Sequence, residues 1–226
     1  MKNAVVTRLG AEALGTLFFV FLAACVVLTA SADGLAVAFG WALALAAAVW
    51  IFSAGGGHLN PWVTVGLALR GKFAWASVPG HVIAQIVGGL LGALLAWWLF
   101  SSSVGDLAAA AVVTHTGAEG AQLIGALAAE ALLTLVLLLV VFALIDKGGW
   151  TYGLGYGLAY AVGVLAIGAL TGASMNLART LGAEVSATIA DAGADWTNIW
   201  IYLVGPAVGV VLAWLLRPML STRSSD

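Results

Sequence analysis

The chain has 226 residues, of which 63% are hydrophobic and only 8% are charged, and its formal net charge at pH 7 is −2. This composition excludes a soluble globular domain and predicts a protein embedded in a lipid bilayer, while the small net charge gives no reason to expect a nucleic-acid partner. The single cysteine, Cys25, has no partner for an intramolecular disulfide.

Six long apolar segments follow one another along the chain, and each has the length of a membrane-spanning helix. Their approximate ranges are 8–30, 35–53, 78–100, 122–145, 151–170 and 197–217. The first is interpreted as a retained span, because no clear small-residue cleavage site followed by a soluble domain is present. Barrel strands are not predicted, since no segment alternates apolar and polar residues with a period of two. The sequence therefore predicts an all-α membrane protein.

Two shorter apolar pieces, 60–69 and 176–183, interrupt this series. Neither is long enough to cross the bilayer alone. Each begins at an asparagine, which is a favourable helix N-cap, so each is predicted to be a re-entrant half-helix.

Basic residues fall at one set of segment ends and acidic residues at the other. The basic set is Lys2, Arg8, Arg70, Lys72, Lys147, Arg217 and Arg223. Because Lys and Arg concentrate on the cytoplasmic side, the pattern predicts a multi-pass protein of the plasma membrane with both termini cytoplasmic. The exception is Arg179, which lies in the second short piece on the extracytoplasmic side.

The chain contains an internal repeat. Residues 11–16 (AEALGT) recur as residues 129–134 (AEALLT), and Glu12 precedes Asn60 by 48 residues where Glu130 precedes Asn176 by 46. The repeats, about 1–103 and about 120–217, each hold three spans and one half-helix, and an outer loop at about 101–120, containing His115, connects them. Because three is odd, the second repeat is inserted upside down, giving an inverted 3+3 arrangement in one channel-like domain. The half-helices are predicted to meet near the midplane.

Asn60 and Asn176 are the first candidate site residues. Two half-helices meeting at their N-termini place two positive dipole ends at the bilayer centre, which opposes cations and protons. Each asparagine is predicted to cap its helix with its side-chain oxygen and to present its NH2 group to a neutral solute. The alternative is that both residues only cap their helices.

Arg179 is the second candidate. It lies three residues, nearly one helical turn, after Asn176, so it is predicted to project along the same lumen toward the outer mouth. A guanidinium there donates hydrogen bonds to solutes and repels cations. A salt bridge to Glu184 or Asp191 is the alternative.

Glu12 and Glu130 lie inside spans, where ionisable groups usually face the bundle. We expect each carboxyl group to accept hydrogen bonds from backbone amides beside its own half-helix, with a proton relay as the alternative. His58 is predicted to line the inner vestibule, unless it is simply a packed histidine. The sequence contains no metal-ligand constellation, and no cofactor is predicted.

Several motifs together carry a family resemblance. They are residues 12–16, Gly57-His58-Leu59-Asn60-Pro61, Thr171-Gly172, Met175-Asn176 with Ala178-Arg179, and Trp200 with Gly205-Pro206. Through them the sequence resembles the aquaporin and aquaglyceroporin (major intrinsic protein) family over essentially its whole length. The resemblance implies six spans with two re-entrant half-helices, one pore per subunit and a homotetramer. It also implies passive movement of water or small uncharged solutes, with ions and protons excluded.

The chain departs from the family at the pore midplane. Members usually carry Asn-Pro-Ala twice, whereas here the copies are Asn60-Pro61-Trp62 and Asn176-Leu177-Ala178. Leu177 is expected to alter packing rather than topology. Trp62 either fills space vacated by the missing proline ring or leans into the lumen and narrows it.

The family's outer constriction is set by four positions. The resemblance implies Val164, Ala173 and Arg179 for three of them, and the count for the fourth falls on Gly40, with aromatic Phe39 and Trp41 on either side. Water-selective members place a histidine where this chain has Val164, which cannot donate a hydrogen bond. We therefore expect a wider, more apolar filter that relaxes selectivity toward solutes such as glycerol, unless an aromatic ring fills the gap.

Three functions are compatible with these features. The leading hypothesis is a passive channel for water and small neutral solutes, without catalytic activity. The second is a non-conducting structural membrane protein whose pore is occluded by Trp62. The third is a proton-coupled transporter that uses Glu12 or Glu130.

Overall fold

A computed structural model of the chain describes residues 2–30, 33–104, 120–191, 194 and 196–220. Over these ranges the protein consists of α-helices joined by turns and single-turn 3-10 helices, and contains no β-strand. In chain order the helices are α1 (Lys2–Ala30), α2 (Gly34–Ile51), α3 (Pro61–Leu69), α4 (Val78–Val104), α5 (Ala121–Leu144), α6 (Gly149–Thr171), α7 (Leu177–Ile189) and α8 (Ile201–Leu216). Most of the predicted outer loop, including His115, lies outside the described residues.

Six helices are long and apolar enough to cross a membrane, and they are α1, α2, α4, α5, α6 and α8. These correspond to the six apolar segments, so the prediction of an all-α, six-span membrane protein is confirmed. Their ends differ from the sequence estimate by several residues. For example, α1 begins at Lys2, six residues before the predicted start of the first segment. Helix α8 begins at Ile201, four residues after the predicted start of the last segment, because residues 197–200 form turns.

Glycine contacts pack the long helices in the same way in both repeats. A β-carbon on Gly88 or Gly92 of α4 would collide with the backbone of α1, and one on Gly205 or Gly209 of α8 would collide with that of α5. Without side chains at these positions the helix backbones approach closely, which is the common packing mode of membrane helices. The glycine rows of α4 and α8 are therefore helix-packing surfaces.

The short helices α3 and α7 fit between these pairs with their N-termini directed toward each other. Gly182 of α7 lies against the backbone of Gly89 in α4, and Gly66 of α3 lies against the Leu138 and Phe142 side chains of α5. The segments preceding α3 and α7 meet in the interior, where Asn60 and Asn176 are both fully buried. The helical fold therefore brings together two residues that are 116 positions apart in the sequence.

Candidate functional site

Asn60 and Asn176 begin α3 and α7 as N-caps. Asn60 Oδ1 accepts a hydrogen bond from the Trp62 amide at 2.9 Å, and Pro61 occupies the first helical position, where its missing N–H costs nothing. Asn176 Oδ1 accepts from the amides of Ala178 at 3.0 Å and Arg179 at 3.3 Å. Leu177 starts the second helix without a proline, as expected, and its side chain is half-buried.

The two asparagine side chains also bond across the interface between the repeats. Asn60 Nδ2 donates to the carbonyl of Met175 at 2.7 Å, and Asn176 Nδ2 donates to the carbonyl of Leu59 at 2.8 Å. Each asparagine therefore combines a helix cap through its side-chain oxygen with a hydrogen bond to the opposite repeat through its side-chain NH2 group.

Leu59 and Met175, which precede the asparagines, adopt left-handed backbone conformations with φ of 49° and 50°. For a non-glycine residue this conformation costs about 1–2 kcal/mol. Both polar backbone groups of each residue are bonded in return. The Leu59 amide donates to Glu12 Oε2 at 2.8 Å and the Met175 amide donates to Glu130 Oε2 at 2.9 Å, while their carbonyls accept the cross-repeat bonds.

Each buried glutamate accepts two further hydrogen bonds. Glu12 accepts from the His58 amide at 3.0 Å and from Gln85 Nε2 at 2.6 Å. Glu130 accepts correspondingly from the Ser174 amide at 2.9 Å and from Thr171 Oγ1 at 2.7 Å. With three donors around each carboxyl group, the geometry matches the structural role that we expected.

Gln85 and Thr171 were missed as supports of the site. Gln85 lies in α4, whereas Thr171 is the last residue of α6. The side-chain donor to each glutamate therefore comes from a helix that has a different place in each repeat. An isolated glutamine within an otherwise apolar span was a signal that could have identified Gln85. Gln85 Nε2 also donates to Thr64 Oγ1 at 2.9 Å, which links the glutamate to α3.

His58 lies on the wall of an open cavity of about 320 Å³, together with Arg8, Lys72 and Phe73. The ring is only 4% exposed, and its Nδ1 lies 3.1 Å from Thr64 Oγ1. Burial, with a smaller contribution from His81, lowers the pKa of His58 to about 3, so the imidazole is neutral near pH 7. His58 is therefore both a packed, hydrogen-bonded residue and part of the cavity wall.

Arg179 lies at the opposite end of the site. Its guanidinium carbon lies 4.8 Å from the centroid of the Trp41 ring, and its Nη2 donates to the carbonyl of Gly172 at 3.4 Å. The side chain is only 6% exposed, and neither Nε nor Nη1 has a hydrogen-bond partner among the described residues. No carboxylate in the described ranges lies within 4.0 Å of the guanidinium, so the expected alternative of a salt bridge is not seen there. Arg179 is a buried cation with unused donors.

The residue of α2 beside Arg179 is Trp41, which corrects the assignment of Phe39 and Gly40. The Phe39 side chain is 43% exposed on the outer surface, and Gly40 packs against Val26 of α1. Successive helical residues point about 100° apart, so a count that is wrong by one residue selects a different face. The position therefore holds a buried indole, which is the one case in which a wider, more apolar filter was not expected.

Val164 and Ala173 are the two apolar residues that the family resemblance assigned to the same constriction. Val164 is half-buried against the core, and Ala173 is fully buried with a left-handed φ of 46°. The Ala173 amide donates to Thr171 Oγ1 at 3.1 Å, so its backbone is fixed by the same threonine that supports Glu130.

Trp62 packs against the hydrophobic core from the half-buried face of α3. Trp62, Val65 and Leu69 are the half-buried hydrophobic residues of α3 and share one face, whereas Val63 and Leu67 on the other face are fully buried. This packing favours the space-filling role over obstruction of the lumen. The indole N–H has no hydrogen-bond partner among the described residues.

No group of three or more potential His, Cys, Asp or Glu metal ligands occurs in the part of the chain that the structure describes. The groups that the structure brings together at the site are amide and guanidinium donors, backbone carbonyls and aromatic rings.

The chain was compared with known proteins. The family model described as "Major intrinsic protein" matches residues 2–217. A glycerol uptake facilitator protein of Streptococcus pneumoniae (strain ATCC BAA-255 / R6) is 34% identical, with 94% of this chain and 98% of the relative covered. Aquaporin NIP1-2 of Oryza sativa subsp. japonica is 33% identical, with 90% of this chain and 68% of the relative covered. The X-ray structure of the aquaglyceroporin from Plasmodium falciparum superposes with a TM-score of 0.86 at 26% identity, covering 94% of this chain and 95% of that one.

Proposed function

The chain belongs to the major intrinsic protein family, and on that premise we propose that it is a passive channel for water and small uncharged solutes such as glycerol. It is not an enzyme. The observation that best supports the proposal is the pair of buried asparagines, each of which caps one half-helix and bonds the other repeat where the two half-helices meet.

Solute selection is proposed to occur at Arg179 and Trp41. The unpartnered Nε and Nη1 of Arg179 supply donors for hydroxyl oxygens, and the indole and Val164 supply apolar surface for carbon–hydrogen groups. A polyol carries both hydroxyl oxygens and C–H groups, whereas water has no C–H groups to contact the apolar surface. The residues around Arg179 are therefore proposed to pass a small polyol such as glycerol more readily than a strict water filter would.

Ion and proton exclusion is proposed to follow from positive charge at two levels. The N-termini of α3 and α7 direct their helix dipoles into the midplane, and the guanidinium of Arg179 repels cations nearer the outer mouth. No carboxylate in the described ranges forms an ion pair with Arg179 within 4.0 Å. Neutral solutes carry no charge for these fields to repel.

The membrane context is also a proposal. The distribution of basic residues supports a multi-pass protein of the plasma membrane with cytoplasmic N- and C-termini, which places the His58 cavity at the inner mouth. Large apolar side chains are exposed on α1, α2, α5 and α6, among them Leu14, Leu43, Leu132 and Val162. These surfaces are suited to lipid and to the neighbouring subunits of a homotetramer.

Permeability measurements test the channel function. Purified protein in liposomes is expected to accelerate both osmotic water flux and glycerol entry over empty vesicles, with equal glycerol rates with and without a pH gradient. Asn176→Ala serves as an impaired variant in the same membrane. Rates no faster than those of empty vesicles would contradict the proposal, and a dependence on the pH gradient would favour a proton-coupled transporter.

A further inference from the structure

Three tyrosines form one stripe along α6. Tyr152, Tyr156 and Tyr160 are spaced four residues apart, and all are almost completely buried. Their hydroxyl groups donate to carbonyls of the two segments that precede the half-helices. Tyr152 donates to Gly57 at 3.1 Å, Tyr156 to His58 at 3.0 Å, and Tyr160 to Ser174 at 2.5 Å. Helix α6 thus braces both re-entrant segments, and Tyr160 braces the outer one.

Tyr160 also supports the indole beside Arg179. A β-carbon on Gly157 would collide with the backbone of Ala42, so α6 and α2 approach closely one turn before Tyr160. The Tyr160 ring stacks on Trp41 with centroids 5.7 Å apart and an interplanar angle of 17°. Such offset stacking is a favourable aromatic geometry.

Phe19 completes the aromatic cluster. Its ring meets Trp41 edge-on at 5.5 Å and Tyr160 edge-on at 5.6 Å. The Trp41 indole is therefore held by Phe19, by the stacked Tyr160 ring and by the Arg179 guanidinium at 4.8 Å. Two of these three groups also bond the segment that carries Ala173: Tyr160 donates to the carbonyl of Ser174 and Arg179 donates to that of Gly172.

Tyr160 is linked to the residues of the outer constriction, which are Trp41, Val164, Ala173 and Arg179. Its ring stacks on Trp41, which contacts Arg179, and its hydroxyl donates to the carbonyl of Ser174, the residue after Ala173. Val164 lies one turn after Tyr160 on the same helix. A change at Tyr160 is transmitted to the indole and the backbone without removing any of the four side chains themselves.

We propose that Tyr160 is a positioning residue that sets the size discrimination of the outer constriction by holding Trp41 against Arg179. The inference rests on the proposed channel function and adds a residue behind the constriction to those that form it. Without the Tyr160 ring, the indole has an unfilled volume on one face and moves into it, because packed interiors relax into the space left by a removed side chain. The distance between the indole and the opposing groups then increases, and larger polyols pass.

The test compares erythritol, a four-carbon polyol, with glycerol in liposomes containing equal amounts of purified channel. In Tyr160→Leu the ratio of erythritol to glycerol permeability is expected to rise about threefold or more, in keeping with the loss of one aromatic pair. Tyr160→Phe keeps the stacked ring and is expected to stay within about twofold of the wild-type ratio. Tyr160→Met is a second variant that removes the ring, and whichever ring-free variant folds decides the test.

Tyr152→Leu is the matched control. Tyr152 lies on the same helix, is 3% exposed, donates to a carbonyl in the same way and stacks on Tyr156 rather than on Trp41. Its loss is expected to lower the stability of the protein and leave the permeability ratio within about twofold of wild type. A ratio that is unchanged in the folded ring-free variants, or that rises equally in Tyr152→Leu or Tyr160→Phe, would overturn the inference alone. Failure of the wild-type protein to conduct glycerol would overturn the channel function and the inference with it.

Discussion

Asn60 and Asn176 each hold the other's half-helix. The Asn60 amide donates to Met175 O at 2.7 Å, and the Asn176 amide donates to Leu59 O at 2.8 Å. The residues that supply these carbonyls have left-handed backbones, which turn each carbonyl toward the opposite repeat. The two halves of the protein are thus joined through the same side chains that cap the two half-helices.

Replacing either asparagine by alanine is expected to lower stability and flux together. Asn60→Ala and Asn176→Ala each lose a helix cap and a cross-repeat hydrogen bond, which together amount to about 2 kcal/mol of unfolding free energy. Denaturation in detergent measures the first effect, and glycerol entry into liposomes measures the second. Asn3→Ala, at an exposed position of α1, is the control and is expected to behave as wild type. Full flux in both variants would contradict the assignment of the asparagines to the permeation path.

Replacing either buried glutamate by glutamine is expected to destabilise the protein. Glycerol flux is expected to remain independent of a pH gradient in both variants. A glutamine offers one acceptor oxygen and directs an NH2 group toward backbone amides that are themselves donors. We expect Glu12→Gln and Glu130→Gln to lower the unfolding free energy by about 2–4 kcal/mol.

Asp33→Asn is the matched control for the glutamates. Asp33 Oδ1 accepts two backbone amides at 3.0 Å at the exposed N-terminus of α2, and asparagine caps a helix about as well as aspartate. Little loss of stability is therefore expected. Wild-type stability of Glu12→Gln together with loss of a proton-driven flux would instead support a proton relay.

Trp62→Ala is expected to change packing rather than conduction. Because Trp62 is half-buried against the core beside Val65 and Leu69, its removal leaves a partly buried cavity and lowers the unfolding free energy by about 1–3 kcal/mol. Glycerol flux per channel is expected to stay within about twofold of wild type. Leu69→Ala, on the same face, is the comparison variant. A large rise in flux in Trp62→Ala alone would show that the indole obstructs the pore.

His58 is expected to impose no pH dependence on flux between pH 7.5 and 5.5, a range chosen well above its pKa of about 3. Stability should respond to acid nonetheless. Below the ordinary histidine pKa of 6.5, His58 binds a proton in the unfolded chain but stays neutral in the folded protein. The contribution of His58 to the unfolding free energy therefore decreases as the pH falls from 6.5 toward about 3.

The check on His58 is flux and denaturation across this pH range, with His58→Gln in parallel. The glutamine variant has no imidazole to protonate and is expected to lose the acid-dependent part of the stability that arises from His58. A fall in wild-type flux with a midpoint near pH 6.5 that is absent in His58→Gln would contradict a neutral buried His58.

The sequence by itself determined the helical spans, the two half-helices and the repeat. Length and hydropathy suffice for a span because a bilayer requires about 20 apolar residues per helix. Asn60 and Asn176 were recognisable because a cap acts within its own first turn, which is local information. Glu12 and Glu130 were assigned as supports of the half-helices from their duplication, and their hydrogen bonds match that role.

The identity of the residue beside Arg179 was decided only by the tertiary structure. Phe39, Gly40 and Trp41 are adjacent in the sequence, and the rotation of α2 against α1 and α6 selects which of them faces inward. The sequence left Trp62 between filling space and narrowing the lumen for the same reason. What a face of α3 contacts depends on where the neighbouring helices lie, which the sequence of α3 does not specify. The tyrosine stripe on α6 was visible as a four-residue spacing, but its hydroxyl partners lie as far as 98 residues away. Contacts of that range depend on packing, which short-range patterns do not encode.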